Sequence, residues 1–306
     1  MKMIWMLLCL ALLVSSCAHE NKVRPSRIIG VSLLTRAHVF YKDLEEGLQM
    51  KAAQYGYQLS VTAADFDLGK QTAQVEDFIT QKVDAIIVCP ADSRGIGAAI
   101  RKANEAKIPV FTADIAAQEG EVICHIASDN VAGGRIAGEY LVKLLERKGS
   151  VAILGQPTVT SVLDRVQGFK DALSRFPSIK IVADVNGEGV RDKAMQAAAD
   201  ILQAHPDLDA IFGINDDSAL GALDAVQQFN RKSVTIVGYD ATPPAVDAII
   251  KNTPLKADVI QHPTRIGAET VEQIKKYFDG LSVPKIVPVD VGIVDREILL
   301  KSAAQQ

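Results

Sequence analysis

Nine side chains draw attention because of where they fall. Ser32, His38, Phe40 and Tyr41 lie within or just after the apolar, strand-like run at 27–35. Asp114, Asn215, Asp240 and Gln261 each follow a later apolar run, and Arg165 sits near the start of an amphipathic stretch. The set combines carboxylates, neutral amides, one guanidinium and aromatic rings. It holds no Ser–His pair and no carboxylate dyad that the sequence can place, so covalent and acid–base catalysis are not favoured. It suits a neutral, polyhydroxylated ligand. Carboxylate, guanidinium and amide groups each present two hydrogen-bonding atoms that match vicinal hydroxyls. An aromatic face packs against a C–H surface. A buried polar group left without its partner costs about 1–3 kcal/mol, so such a pocket rejects a ligand that lacks a matching hydroxyl. Singly, each residue has a structural alternative: Asn215-Asp216-Asp217 would cap a helix well, and Phe40 could be core. The joint pattern favours a site.

The elements that would position these residues alternate. Apolar strand-like runs are expected at 27–35, 57–63, 84–89, 109–113 and 122–127, with amphipathic helices at 40–55, 69–81 and 94–106 between them. A second series follows. Strands are expected at 151–154, 179–185, 210–214, 235–238 and 257–260, helices at 130–147, 161–175, 191–204, 217–229, 243–251 and 264–278, and a β-rich tail at 286–293. Strand–helix alternation of this kind argues for α/β architecture on parallel sheets. At 306 residues the chain is long for one core, so two doubly wound lobes are expected rather than one oversized sheet. In such sheets ligands sit beyond the carboxyl ends of the strands, which is where the nine residues lie.

The amino terminus reads as an export address. Lys2 precedes an apolar run from Met3 to Val14, then come Ser15, Ser16 and Cys17. The run is shorter than the roughly 20 apolar residues that span a bilayer and has the layout of a cleavable secretory signal over 1–16. Leu13-Val14-Ser15-Ser16-Cys17 resembles a bacterial lipobox, which implies cleavage before Cys17 and lipid on its sulfur. Residues 17–26 then form a polar tether. An exported, lipid-anchored protein is expected, which argues against a cytosolic enzyme or repressor. Of the other cysteines, Cys9 leaves with the signal, while Cys89 and Cys124 each lie in an apolar run. Buried free thiols are favoured for both; a single bridge between them would need suitable backbone geometry.

Several chemistries find no support. With 33 basic against 37 acidic residues and no basic stripe, the chain lacks a nucleic-acid footprint. It holds no phosphate-binding Gly-x-x-x-x-Gly-Lys loop, no His-Glu-x-x-His and no Gly-x-Ser-x-Gly elbow. Gly95-Ile96-Gly97 is a broken dinucleotide fingerprint and reads as a helix start. Asp65-x-Asp67 with Glu76 has part of a calcium-loop spacing, but Gly69 and Lys70 spoil it, and a helix cap explains it better. His19, His125, His205 and His262 form no ligand spacing. No metal and no cofactor is expected.

From residue 27 onward the chain resembles the ribose-type periplasmic sugar-binding proteins, which share their fold with the ligand-binding cores of LacI-type repressors. The resemblance is carried by His125-Ile126-Ala127-Ser128-Asp129-Asn130-Val131 with Gly133-Gly134, by Arg165 with Gly168-Phe169, and by Ala204-His205-Pro206-Asp207. Asn215-Asp216 with Ala219-Leu220-Gly221-Ala222-Leu223, and Val237-Gly238-Tyr239-Asp240, carry it as well. It implies a type I periplasmic-binding fold with lobes of 27–128 plus 262–290 and of 129–261 plus 291–306. The chain would cross a three-segment hinge near Ser128-Asp129, Gln261-His262 and Val291. It implies a monomeric, non-enzymatic receptor that closes on a monosaccharide or polyol and serves an ABC permease or a membrane sensor. It also implies that Ser32, Phe40, Tyr41, Asp114, Arg165, Asn215, Asp240 and Gln261 match ligand-contact positions. Four positions depart from the family pattern: His38 and Cys89 replace asparagines, Ile115 replaces an arginine, and Gly189 stands where a phenylalanine stacks. These changes soften the pocket and argue against ribose itself. An exported enzyme acting on sugars remains a rival, because Asp114 and Asp240 could face the cleft together.

Overall fold

The computed structural model describes residues 26–304; the signal-like segment 1–16, Cys17 and nearly all of the 17–26 tether lie outside them. Elements follow in chain order. The first half runs β1 (Ile28–Leu33), α1 (Val39–Tyr55), β2 (Gln58–Ala63), α2 (Leu68–Gln81), β3 (Ala85–Val88), α3 (Gly97–Glu105), β4 (Val110–Ala113) and β5 (His125–Ser128). The second runs α4 (Asn130–Leu144), β6 (Gly149–Gly155), α5 (Thr160–Leu173), β7 (Ile179–Asn186), α6 (Arg191–Ala204), β8 (Ala210–Gly213), α7 (Asp216–Gln228), β9 (Thr235–Asp240), α8 (Pro243–Ile250) and β10 (Leu255–Ile260). The chain then forms α9 (Pro263–Phe278), β11 (Ile286–Val289), β12 (Gly292–Asp295) and α10 (Arg296–Ala303).

Two six-stranded sheets result, ordered β11-β5-β4-β3-β1-β2 and β12-β10-β9-β8-β6-β7. The orders are the same pattern written twice. The central strands β3, β4 and β8 are buried along their whole length, as expected for parallel strands covered on both faces by helices. The chain passes between sheets after β5, after β10, and between β11 and β12. One buried cluster runs through both halves, from Ile29 and Phe111 to Ile153 and Val259, with Phe169 stacked on Phe212 at a centroid separation of 4.4 Å.

Two features of the tail refine the sequence reading. The β-rich tail is resolved into two strands in different sheets, on either side of residue 291: β11 lies parallel to β5, whereas β12 lies antiparallel to β10. The last helix, α10, was not expected. None of its residues is buried, so no apolar periodicity announces it, although Asp295 caps it by accepting from the Ile298 amide.

The caps explain several polar residues. Asp67 accepts from the Lys70 amide and opens α2, while Asp65 pairs with the Lys70 ammonium at 2.6 Å. The partial calcium spacing is thus a helix start. Among the described residues no group of three or more His, Cys, Asp or Glu side chains gathers as a metal site. Cys89 and Cys124 are free and buried, which leaves no bridge between them.

Close helix packing sets the positions that matter. A Cβ at Gly134 of α4 would stand 1.9 Å from the Arg165 carbonyl oxygen of α5, and one at Gly168 would stand 2.0 Å from the Val131 carbonyl oxygen. Both contacts are impossible for any side chain, so the two glycines let the helix backbones touch. Gly47 and Gly267 do the same for α1 and α9. Arg165 on α5 and the His38–Tyr41 segment at the head of α1 are therefore held by glycine-mediated helix pairs, one in each half.

Candidate functional site

The carboxyl ends of β1, β4, β8, β9 and β10 converge on a cavity with about 440 Å³ of atom-free space, part of it open to solvent. Eight of the nine residues singled out from the sequence line it: His38, Phe40, Tyr41, Asp114, Arg165, Asn215, Asp240 and Gln261.

Ser32 does not, and its assignment is corrected. It is fully buried in β1, and its hydroxyl donates to Gln74 Oε1 at 2.7 Å. Leu34, two residues further along, lines the cavity instead. Successive residues on one face of a strand climb toward its end, so Ser32 lies a layer below the site.

The head of α1 places three residues. His38 caps the helix, its Nδ1 accepting from the Phe40 amide at 3.1 Å, and its Nε2 lies 3.3 Å from Asp240 Oδ2. That contact joins the two halves. Phe40 packs edge-on against Tyr41 at 5.2 Å, and the Tyr41 hydroxyl donates to Asp114 Oδ2 at 2.6 Å. The other oxygen, Asp114 Oδ1, is buried without a partner. Burial raises the Asp114 pKa to about 6, while Arg165 and the Tyr41 hydrogen bond pull it down. Asp114 and Asp240 both sit at positive φ, 64° and 120°, a conformation that aspartate enters at some strain. Strain of this kind aims both carboxyl groups from strand ends.

Arg165 is the organising cation. Its Nε donates to Asn130 Oδ1 at 2.8 Å and its Nη1 to the Ile214 carbonyl at 2.8 Å, while the guanidinium lies over the Tyr239 ring at 3.9 Å. Its Nη1 is 4.0 Å from Asp240 Oδ1. Burial alone would lower its pKa, but Tyr239, Asp240, Asp114 and Tyr41 outweigh that and raise it. Gln261 donates to Asp240 Oδ1 at 2.5 Å, which leaves Gln261 Oε1 buried and unpartnered. Asn215 keeps its structural role as well: Oδ1 caps α7 by accepting from Ser218, and Nδ2 donates to the Gly189 carbonyl.

Of the four departures, His38, Ile115 and Gly189 line the cavity and Cys89 does not. Gly189 sits at φ +67°, and a Cβ there would stand 2.5 Å from Gln156 Oε1, so Gln156 holds the space an added side chain would enter. Cys89 lies behind the wall, and its carbonyl accepts from Gln71 at 2.9 Å. Sequence reasoning missed Leu34, Phe66, Gln156, Val159, Ser161, Val162 and Ile214. Gln156 follows β6 and obeys the strand-end rule. The others are apolar or lie at a helix start, where sequence gives no signal of a cavity.

Beneath Asp240 lies a second carboxyl pair. Asp216 accepts from the Thr242 amide at 2.6 Å and Asp258 from the Ala241 amide at 3.2 Å, while Asp216 Oδ1 and Asp258 Oδ2 are buried with no protein donor. The two buried carboxyls are neighbours, and the Asp216 charge favours a proton on Asp258. Burial raises Asp216 to about 6 and, together with the Asp216 charge, pushes Asp258 well above the usual range. An acid whose folded pKa is raised contributes stability that is complete below its unfolded value near 4 and is lost as pH rises through the folded value. Asp216 thus loses its contribution between about pH 4 and 6. Asp258→Asn supplies a permanent donor in place of the proton. Denaturant melts at pH 5 and pH 8 are expected to show the parent losing more stability across that interval than the variant. Parallel losses would contradict a proton held on Asp258.

Nothing in the cavity lines up as a nucleophile with its base. Its open groups are acceptors and donors held by buried partners, an arrangement for recognition. Comparison with known proteins agrees. Residues 29–282 match the family model described as periplasmic binding protein domain. The ribose import binding protein RbsB of Salmonella typhimurium is 35% identical over 293 residues, covering 94% of this chain and 98% of that protein. An ABC transporter solute-binding protein of Mycobacterium smegmatis, solved with bound glycerol, superposes with a TM-score of 0.85 at 32% identity, over 90% of this chain and 96% of that one. The fructose-binding periplasmic domain of a hybrid two-component system superposes with a TM-score of 0.85 at 26% identity, over 91% and 94% of the two chains.

Proposed function

We propose, from the premise that this chain belongs to the periplasmic binding protein domain family, that it is the lipid-anchored solute receptor of an ABC importer and binds a monosaccharide or polyol in the cavity. The observation that carries this reading is the pair of buried, unpartnered acceptors at the cavity, Asp114 Oδ1 and Gln261 Oε1, set beside the Arg165 guanidinium. Two buried acceptors call for two donors, and a ligand with neighbouring hydroxyls supplies them. The similarity to a ribose import protein and to a receptor holding glycerol supports the same class of ligand. Cys17 would carry the lipid, and the anchored monomer would work outside the cytoplasm without catalysing a reaction.

In this reading the lobes are 27–128 plus 262–290 and 129–261 plus 291–306, and the chain crosses between them near Ser128, Gln261 and Val291. The ligand binds the closed arrangement better than the open one and shifts the hinge equilibrium toward it. A set of hydrogen bonds beside the cavity supports closure. Thr160 of α5 donates its amide to Ser93 Oγ at 3.0 Å, while its hydroxyl accepts from the Ala116 amide at 3.1 Å. The Ser93 amide donates to the Thr158 carbonyl at 3.0 Å. These bonds join loops after β3 and β4 to the head of α5 and exist only when the halves meet. Thr160→Val removes the hydroxyl and is expected to weaken ligand affinity about five- to tenfold, one hydrogen bond's worth, with unchanged thermal stability of the free protein. Unaltered affinity would detach Thr160 from closure.

Calorimetry against a panel of pentoses, hexoses and polyols tests the function. One saturable ligand at one site per chain is the expected result, and a panel without any ligand would end the receptor reading. A second reading, receptor for a sensor kinase, is favoured by the similarity to a fructose-binding domain of a two-component system. It keeps the same ligand site and changes only the membrane partner. Cross-linking in membranes to a permease or to a kinase separates the two.

A further inference from the structure

The cavity is lined by apolar as well as polar side chains. Val162 and Val159 precede Arg165 by about one turn and two turns, and all three are buried and line the cavity. Ile115 directly follows Asp114, and both line the cavity. Ile115 and the valines come together because Ala116 is hydrogen-bonded to Thr160. Leu34 and Phe66 add to the apolar lining, tied to each other by the Phe66 amide donating to the Leu34 carbonyl at 3.2 Å. Phe66 is held at φ 65°, directly after Asp65 at φ 53°. A bulky residue in the left-handed region is a genuine outlier, and here it places an aromatic side chain that is 38% exposed on a cavity whose other walls are mostly buried. Besides Tyr41, Ser161 is the one residue of the lining that carries a side-chain hydroxyl. The unpartnered acceptors of the lining belong to Asp114 and Gln261.

We propose that the ligand is a small sugar or polyol with one deoxygenated or alkyl-substituted end, its hydroxyls held by Asp114, Arg165 and Gln261 and its methyl-like end packed against Leu34, Phe66, Ile115 and Val159. This rests on the sugar-receptor reading above and narrows it. A hydroxyl directed at Ile115 and Val159 finds no partner, whereas a methyl there gains contact without loss. An apolar pocket of this kind discriminates against an added hydroxyl by about tenfold to a hundredfold.

The experiment is calorimetry of the full mature chain with matched pairs: D-ribose and 5-deoxy-D-ribose, L-galactose and L-fucose, L-mannose and L-rhamnose, together with the fully hydroxylated pentoses, hexoses and polyols. The expected result is that the tightest ligand is a deoxy sugar, bound about ten- to a hundredfold better than its hydroxylated partner. Ile115→Asn, and independently Leu34→Ser, then narrow or reverse that preference. A tightest ligand that is fully hydroxylated overturns the inference and leaves the sugar-receptor reading standing. A preference for the deoxy sugar that neither variant moves overturns the assignment of its cause to this wall. A panel with no ligand overturns both the inference and the reading beneath it.

Discussion

Arg165→Ala is expected to abolish detectable ligand binding and to cost the free protein about 3–5 kcal/mol of stability. The guanidinium serves four partners at once: the Asn130 side chain, the Ile214 carbonyl, the Tyr239 ring and the nearby Asp240 carboxyl. Removing it strands Asn130 Oδ1 and the Ile214 oxygen and leaves Asp240 and Asp114 in a buried site without a cation. Breaking a buried charge pair from one side carries a penalty of about that size. Loss of a charge-assisted bond to the ligand, with misplacement of the acceptors around it, weakens binding by about a hundredfold or more. Arg165→Lys is expected to restore much of the stability and little of the affinity, because an ammonium cannot reach Asn130, Ile214 and a ligand together in one plane. Chemical melts and calorimetry on the two variants measure both effects. Near-parent affinity in the alanine variant would remove Arg165 from the site.

Gly134→Ala is expected to rank with it, although residue 134 does not line the cavity. The new methyl would stand 1.9 Å from the Arg165 carbonyl oxygen, so α4 and α5 must separate. Overpacking between elements that cannot yield costs about 3 kcal/mol. Because the displaced backbone is that of Arg165 itself, affinity should fall together with stability. Gly168→Ala meets Val131 from the other helix and should behave alike. A thermal shift assay that finds Gly134→Ala as stable as the parent, with full affinity, would contradict the claim that backbone contact between these helices positions the arginine.

These two positions also show what the sequence made legible. Gly133-Gly134 and Arg165 with Gly168-Phe169 are visible as motifs, but their meaning is a contact between helices, and only the fold supplies it. The α/β class was legible because central parallel strands such as β3 and β8 are continuous apolar runs. The edge of the second sheet was not, since antiparallel β12 is only four residues long and the following α10 buries nothing. The polar lining of the cavity was legible because carboxylates and amides at strand ends are conspicuous. Its apolar lining was not, for Leu34, Val159 and Val162 look like any core residue, whereas Ser32 stands out by its hydroxyl. That hydroxyl belongs to Gln74. Polarity marked the right end of the strand at the wrong depth.

The most direct measurement is mass spectrometry of what the natively purified protein releases on denaturation, run beside Arg165→Ala prepared in the same way. The account predicts one neutral sugar or polyol, near one per chain in the parent and absent from the variant. An amino acid, a peptide or a charged metabolite at that stoichiometry, or the same sugar recovered equally from both proteins, would contradict it.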